Sequence, residues 1–489
     1  MTKQSQSVSN TPFLIIISVF FFWGFVAASN DILIPVFKER LHLLQWQSQM
    51  ISFAFYVAYT VGSVLYYFIS KTSKGDILNR IGYKNGIALG LVISAFGTLL
   101  FYPAAQNESF LIMITGLFIV GLGFSLQQTV ANPLTIILGD ASKGSQRLSM
   151  AGGINNIGTT IGPLLISFAI FGSINSNNIS ASIESIKIPY LILGAAFLVF
   201  ALIFKFSSIP DKIENIKEID IDEKNEKSSA LKYPQLVYGM IAIFVYVGVE
   251  VSTASNLPEF MKYELAMPAS KIAPYISLYW ASLMIGRWTS SVDAFNLKGG
   301  IKKIVQFLMP YIAFGFFLLV NKIANHDITP FYIYIFVIVA LIVADIASKG
   351  DPAKQLFIFS AMGILALFTG IFSSGMVSVY AFISVGLFCS TLWPCIFTLA
   401  IAGLGKKTNQ GSSFLIMMIM GGGIISLIQG YLAEPHILGI KWSYTVGVIC
   451  FLYLAFYALK VKKILKIQGV NYIVTSKCRT TDTTINDRP

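Results

Sequence analysis

The chain is 489 residues long, 55% of them hydrophobic and only 12% charged, with a mean hydropathy of +0.71 and a formal net charge of +12. That balance excludes a soluble globular enzyme and leaves no stretch long enough for a sizeable soluble domain. The positive charge does not mark a nucleic-acid binder, because the basic residues sit in short loops between apolar runs, the pattern that sets membrane topology.

A bilayer core is about 30 Å thick and takes roughly 20 apolar residues per helix. Six runs of that kind come first, over residues 13–35, 46–70, 86–102, 110–138, 149–171 and 189–206. The first has no small-residue cleavage pattern and reads as a retained helix rather than a cleaved signal peptide. The apolar pattern then stops. Residues 207–233 (SSIPDKIENIKEIDIDEKNEKSSALKY) form a mixed-charge linker with too little apolar surface for a core of its own. Eight more runs follow, over 235–257, 272–292, 304–320, 331–347, 355–372, 376–402, 411–432 and 443–459, before a basic and then polar tail.

The expected architecture is therefore an all-α polytopic membrane protein of about 14 spans. An N-terminal six-helix bundle (1–206) is followed by the linker (207–233), a C-terminal bundle (234–463) and a tail (464–489). Lys and Arg favour the side of the linker, with Lys71, Lys74, Arg80 and Lys84 in one loop alone. That bias predicts a cytoplasmic N-terminus, C-terminus, linker and tail.

The stretch from Gly121 to Pro163 carries amides where lipid-facing helices carry leucines. At helical spacing Gln128 and Asn132 share one face, and Gly152, Asn155, Asn156 and Thr159 share another. Hydrocarbon offers such groups no partner, so the stripe must face protein, water or a solute. The halves also look alike. Pro133 is followed by an apolar turn, Gly139, a basic loop and a Gly-rich helix; Pro394 is followed by an apolar stretch, Gly405, Lys406, Lys407 and another Gly-rich helix. Parallel repeats with interrupted helices at matching places point to a solute site between the repeats, near the bilayer midplane. The tight loop LNRIGYKNG after the second run is a weak major-facilitator cue, and its partner after the eighth run is only Gly286 and Arg287.

These motifs carry a resemblance. FFWGFVAASNDILIP in the first helix, QTVANP, RLSMAGGINNIG, YVGVEVSTASNLP in the seventh, and LWPCIFTLAIAGLG followed by GSSFLIMMIMGGG near the end together span most of both halves. They resemble the fucose and glucose/galactose symporter family of the major facilitator superfamily. The resemblance implies two pseudo-symmetric six-helix bundles that transport a hexose by alternating access, in a bacterial inner membrane. Two departures matter. The fucose branch places a glutamate where this chain has Gln128, so the glucose/galactose branch is the closer match. Residues 296–347 supply two spans beyond the family's six per half, an inserted hairpin between the family's eighth and ninth helices.

Within that frame Asp31, beside Asn30 on the first helix, is the first candidate for coupling a cation, and Glu250 the second. Both are carboxylates inside apolar runs, which default to a functional reading. The competing reading is that Asp31 caps a helix end before Pro35 and that Glu250 pairs with Arg287. Asn30, Gln128, Asn132, Asn155, Asn156 and Asn256 are candidates for binding sugar, since hydroxyls donate and accept and so do amides. The alternative is that the amides join helices to one another. Trp393, before Pro394, suits stacking on the apolar face of a pyranose. Asp293 and Asp345 lie near span ends and read as solvated or capping.

No phosphate-binding glycine loop and no His or Cys cluster occurs, so neither an enzyme nor a cofactor or metal is expected. The expected partners are a hexose, a proton or sodium ion and the lipid bilayer, with no nucleic acid, and the chain is expected to be a monomer. The proton is the default because Asp31 and Glu250 are available; sodium stays open because Gln128 removes one carboxylate. Efflux of an amphipathic compound is the alternative within transport, and a sugar-binding membrane sensor the alternative outside it.

Overall fold

The computed structural model describes residues 11–40, 45–72, 77–138, 143–171, 184–207, 209, 229–267, 269–295, 297 and 299–470, with side chains throughout these except 11, 27–52, 79, 163–164, 166–171, 184–186 and 269–270. Among them there is no strand. Among the described residues the chain forms fourteen helical rods. The first six are α1 (Thr11–Arg40), α2 (Gln45–Thr72), α3 (Tyr83–Gln106), α4 (Phe110–Ile137), α5 (Gly144–Phe171) and α6 (Glu184–Lys205). The second group is α7 (Pro234–Leu265), α8 (Ala269–Ser291), α9 (Gly299–Ile323), α10 (Thr329–Ser348), α11 (Pro352–Phe372), α12 (Gly375–Ile401), α13 (Gly405–Leu432) and α14 (Gly439–Ile467). Eleven helices among the described residues are long and apolar enough to cross a bilayer. In the first group α1 lies along α5, and α4 packs on α2 and α3. In the second, α7 packs on α12, α13 and α14, and α11 on α12 and α14.

Small residues let the first-group helices touch backbone to backbone. A methyl on Gly158 of α5 would sit 2.3 Å from the Phe21 carbonyl of α1, closer than any side chain tolerates. Beside it the Asn155 Nδ2 donates to the Phe20 carbonyl at 2.9 Å. Deeper in the bundle Trp23 Nε1 donates to Gln127 Oε1 and Gln127 Nε2 donates to Ser94 Oγ, both at 2.9 Å. Gln127 has no exposure at all, so in an apolar surround each of these bonds satisfies a group that water cannot reach.

The two groups meet along a seam of α5 against α8, and α2 and α4 against α13. Two prolines shape it. Pro133 has no N–H, so the carbonyl four residues earlier, Thr129, is freed from the α4 ladder. Ser412 Oγ, from α13 in the opposite group, donates to that carbonyl at 2.8 Å. Pro394 in α12 frees Ser390 in the same way, and Arg287 Nε of α8 donates to its carbonyl at 3.1 Å. The matched prolines of the two halves thus each create a socket for a donor. Further bonds join the groups at the end where the linker enters. Tyr83 donates to Asn409 Oδ1 at 3.2 Å, Ser413 to the Ser63 carbonyl at 3.1 Å, and Gln146 Nε2 to the Gly350 carbonyl at 3.1 Å.

The α9–α10 hairpin packs against α8, with Tyr334 and Ser282 hydroxyls 2.7 Å apart. It also corrects one expectation. Asp345, read from the sequence as solvated or capping, is only 6% exposed. Gln306 Nε2 of α9 donates to its Oδ2 at 2.7 Å and Gln355 Nε2 of α11 to its Oδ1 at 3.0 Å. Two amide donors from different helices replace water, which spacing along one segment does not show. Asp293 pairs with Lys302 at 2.8 Å.

Candidate functional site

On α7, Tyr246 and Glu250 are one turn apart, so the phenol reaches along the helix and donates to Glu250 Oε2. Arg287 comes from α8 to the other side of the phenol, its Nη2 3.5 Å from the Tyr246 oxygen. The same guanidinium crosses the seam. Its Nη1 donates to Asn156 Oδ1 at 3.0 Å and faces the Gly152 carbonyl at 3.4 Å, both on α5. Trp288, the next residue, donates from Nε1 to the Gly153 carbonyl at 3.2 Å. Carboxylate, phenol, guanidinium and amide therefore form one line from the second group into the first. A guanidinium presents N–H donors in a planar fork, which suits this bridging of several acceptors.

Asn156 lies twelve residues into α5, about 18 Å of helix rise from its start. It is 4% exposed, and its Nδ2 makes no hydrogen bond to the described protein. Thr253 Oγ1, one turn beyond Glu250, is buried and likewise without a protein partner. Buried polar groups are normally hydrogen-bonded, so these two atoms stand out within the seam. Trp393 stands against Tyr246 with ring centroids 6.2 Å apart, giving the site an aromatic wall.

The other sequence candidates are placed as follows. Gln128 is half-buried and its Nε2 donates to Tyr59 Oη at 2.9 Å. Asn132 and Asn256 are buried, and each Nδ2 donates to a carbonyl one turn back in its own helix, Gln128 and Ser252 respectively. Asn155 points to α1, as described above. Asn30 and Asp31 lie on α1, but their side chains fall outside the described residues. Arg287 is the residue whose place in the site the sequence reading missed. The sequence reads it as a loop counterpart and a possible partner for Glu250, whereas the structure puts it inside α8 with acceptors in both groups. An arginine within an apolar run was the available signal.

Comparison with known proteins agrees with this architecture. Residues 14–348 match the Major Facilitator Superfamily. A glucose/galactose transporter of Brucella abortus is 33% identical over 443 residues, covering 90% of this chain and 92% of the relative. The L-fucose-proton symporter of Escherichia coli is 28% identical over 442 residues, covering 86% and 87%. In three dimensions the crystal structure of the E. coli fucose:proton symporter superposes with a TM-score of 0.69 at 24% identity, covering 92% of this chain and 98% of that one. From the fourteen-rod architecture, the paired proline sockets and these matches together, the chain belongs to the major facilitator superfamily, in its fucose and glucose/galactose symporter family.

Proposed function

We propose that the chain takes up a hexose such as glucose or galactose together with a cation, by alternating access of its two bundles. The observation that carries this reading is the line Glu250, Tyr246, Arg287, Asn156, which joins the two bundles and leaves Asn156 Nδ2 and Thr253 Oγ1 for solute groups. A hexose is neutral and dense in hydroxyls, so it satisfies an amide and a hydroxyl without bringing a charge into the membrane. The aromatic pair Tyr246 and Trp393 offers an apolar face of the kind a pyranose ring packs on. The names of the relatives, a glucose/galactose transporter and a fucose-proton symporter, point the same way. The coupling cation in this reading is a proton, with Asp31 and Glu250 as the groups that carry it. The termini and the linker face the cytoplasm of a bacterial inner membrane, in keeping with the basic loops.

The test is uptake by proteoliposomes across a set of hexoses, with and without sodium, at two pH values. A proton gradient is expected to drive accumulation of glucose or galactose without sodium. Asp31→Asn is expected to abolish accumulation against a gradient while leaving exchange of labelled sugar. Accumulation by that variant equal to the wild type overturns the coupling assignment, and absence of any hexose counterflow overturns the substrate.

A further inference from the structure

We infer that Arg287 is the sugar-contacting residue through which the protonation state of Glu250 sets the affinity of the site for sugar. The inference rests on the hexose reading above and goes beyond it, by assigning the link between ion and sugar to one side chain. The guanidinium has a fixed end and a divided one. Its Nε is anchored on its own bundle by the Ser390 carbonyl, which Pro394 leaves without a helix partner. Its two terminal nitrogens face opposite ways, Nη2 to the Tyr246 oxygen and Nη1 to Asn156 on the other bundle.

With Glu250 ionised, the Tyr246 hydroxyl donates to the carboxylate and its oxygen is free to accept from Arg287. The carboxylate then compensates the guanidinium through one phenol. A proton on Glu250 removes that negative charge and turns the carboxyl into a donor that competes with Arg287 for the phenol oxygen. Arg287 is left cationic in a low-dielectric setting with fewer acceptors, and hydroxyl oxygens of a sugar beside Asn156 supply them. Asn156 Nδ2, buried and unpartnered, donates to the same solute. Proton binding thus precedes and strengthens sugar binding.

Among the described residues, the titratable and charged groups facing Glu250 are few. They are Tyr246 on α7, Tyr279 and Arg287 on α8, and Cys389 on α12, with Tyr444 of α14 reaching Tyr279. Tyr279 donates to the Glu250 backbone carbonyl at 2.7 Å and so does not compete for the carboxylate.

The experiment measures Kd for glucose and galactose across pH 5 to 9 by isothermal titration on the purified full chain, for the wild type, Tyr246→Phe, Arg287→Lys and Glu250→Gln. Wild-type Kd is expected to rise with pH, by up to about tenfold per pH unit, the limit for one linked proton. Tyr246→Phe and Arg287→Lys are expected to flatten that dependence. Glu250→Gln is expected to hold Kd near its low-pH value throughout. A wild-type-like pH profile in Tyr246→Phe overturns the inference, whatever becomes of the arginine variant, and so does a wild-type Kd that ignores pH. Absence of hexose binding by the wild type at every pH overturns the hexose reading instead.

Discussion

Gln127 and Gln128 are neighbours on α4, yet one helix step of about 100° separates their duties. Gln127 holds Trp23 and Ser94 in a fully buried triad, whereas Gln128 is half-buried and meets the Tyr59 hydroxyl. Gln127→Leu leaves the Trp23 indole N–H without an acceptor, and a stranded buried donor costs about 1–3 kcal/mol. The expected result is a lower thermal unfolding midpoint in detergent, as read by tryptophan fluorescence; an unchanged midpoint would show that the triad contributes nothing. Residue type and spacing found Gln128, Asn132, Asn155 and Asn156 as one polar set. They could not tell that Asn156 crosses to Arg287 while Asn155 turns back to α1, because the partner of an amide is fixed by the neighbouring helix rather than by its own.

At the level of single helices, the interruptions matter more than the apolar runs. The matched positions of Pro133 and Pro394 could be read from the sequence; that each frees a carbonyl taken from another helix could not, since neither Ser412 nor Arg287 is close to its socket in the chain. Pro133→Ala restores an N–H that competes with Ser412 for the Thr129 carbonyl, so the bond across the seam weakens. The helix gains while the seam loses. The expected signature is faster maleimide labelling of Ser413→Cys, a seam residue, in the Pro133→Ala background than in the parent. Equal labelling rates would mean that the socket does not hold the seam.

Over the whole molecule, the succession of apolar helices was legible because hydrophobic run length is set by the bilayer and not by tertiary context. How the bundles close was not legible, since it depends on bonds between residues hundreds of positions apart. Ser413 and the Ser63 carbonyl are 3.1 Å apart across α13 and α2. Ser145 Oγ of α5 and Cys395 Sγ of α12 also lie side chain to side chain, 3.6 Å apart across the seam, so Ser145→Cys is expected to cross-link to Cys395 under oxidant and stop transport, with activity returning on reduction; sustained uptake in the fully cross-linked protein would show that this end need not open.

The hydrogen bonds named at that end share a property with a thermodynamic consequence. Tyr83, Ser412, Ser413 and Gln146 all act there as uncharged donors, three of them to main-chain oxygens. Each such bond nets only about 0.5–1.5 kcal/mol once water can replace it. Their combined bias amounts to a few kcal/mol, whereas carrying a two-state equilibrium from 1:99 to 99:1 takes about 5.5 kcal/mol of differential affinity. A solute must therefore hold one state better than the other by at least those few kcal/mol, about a hundredfold or more in affinity, to offset this latch.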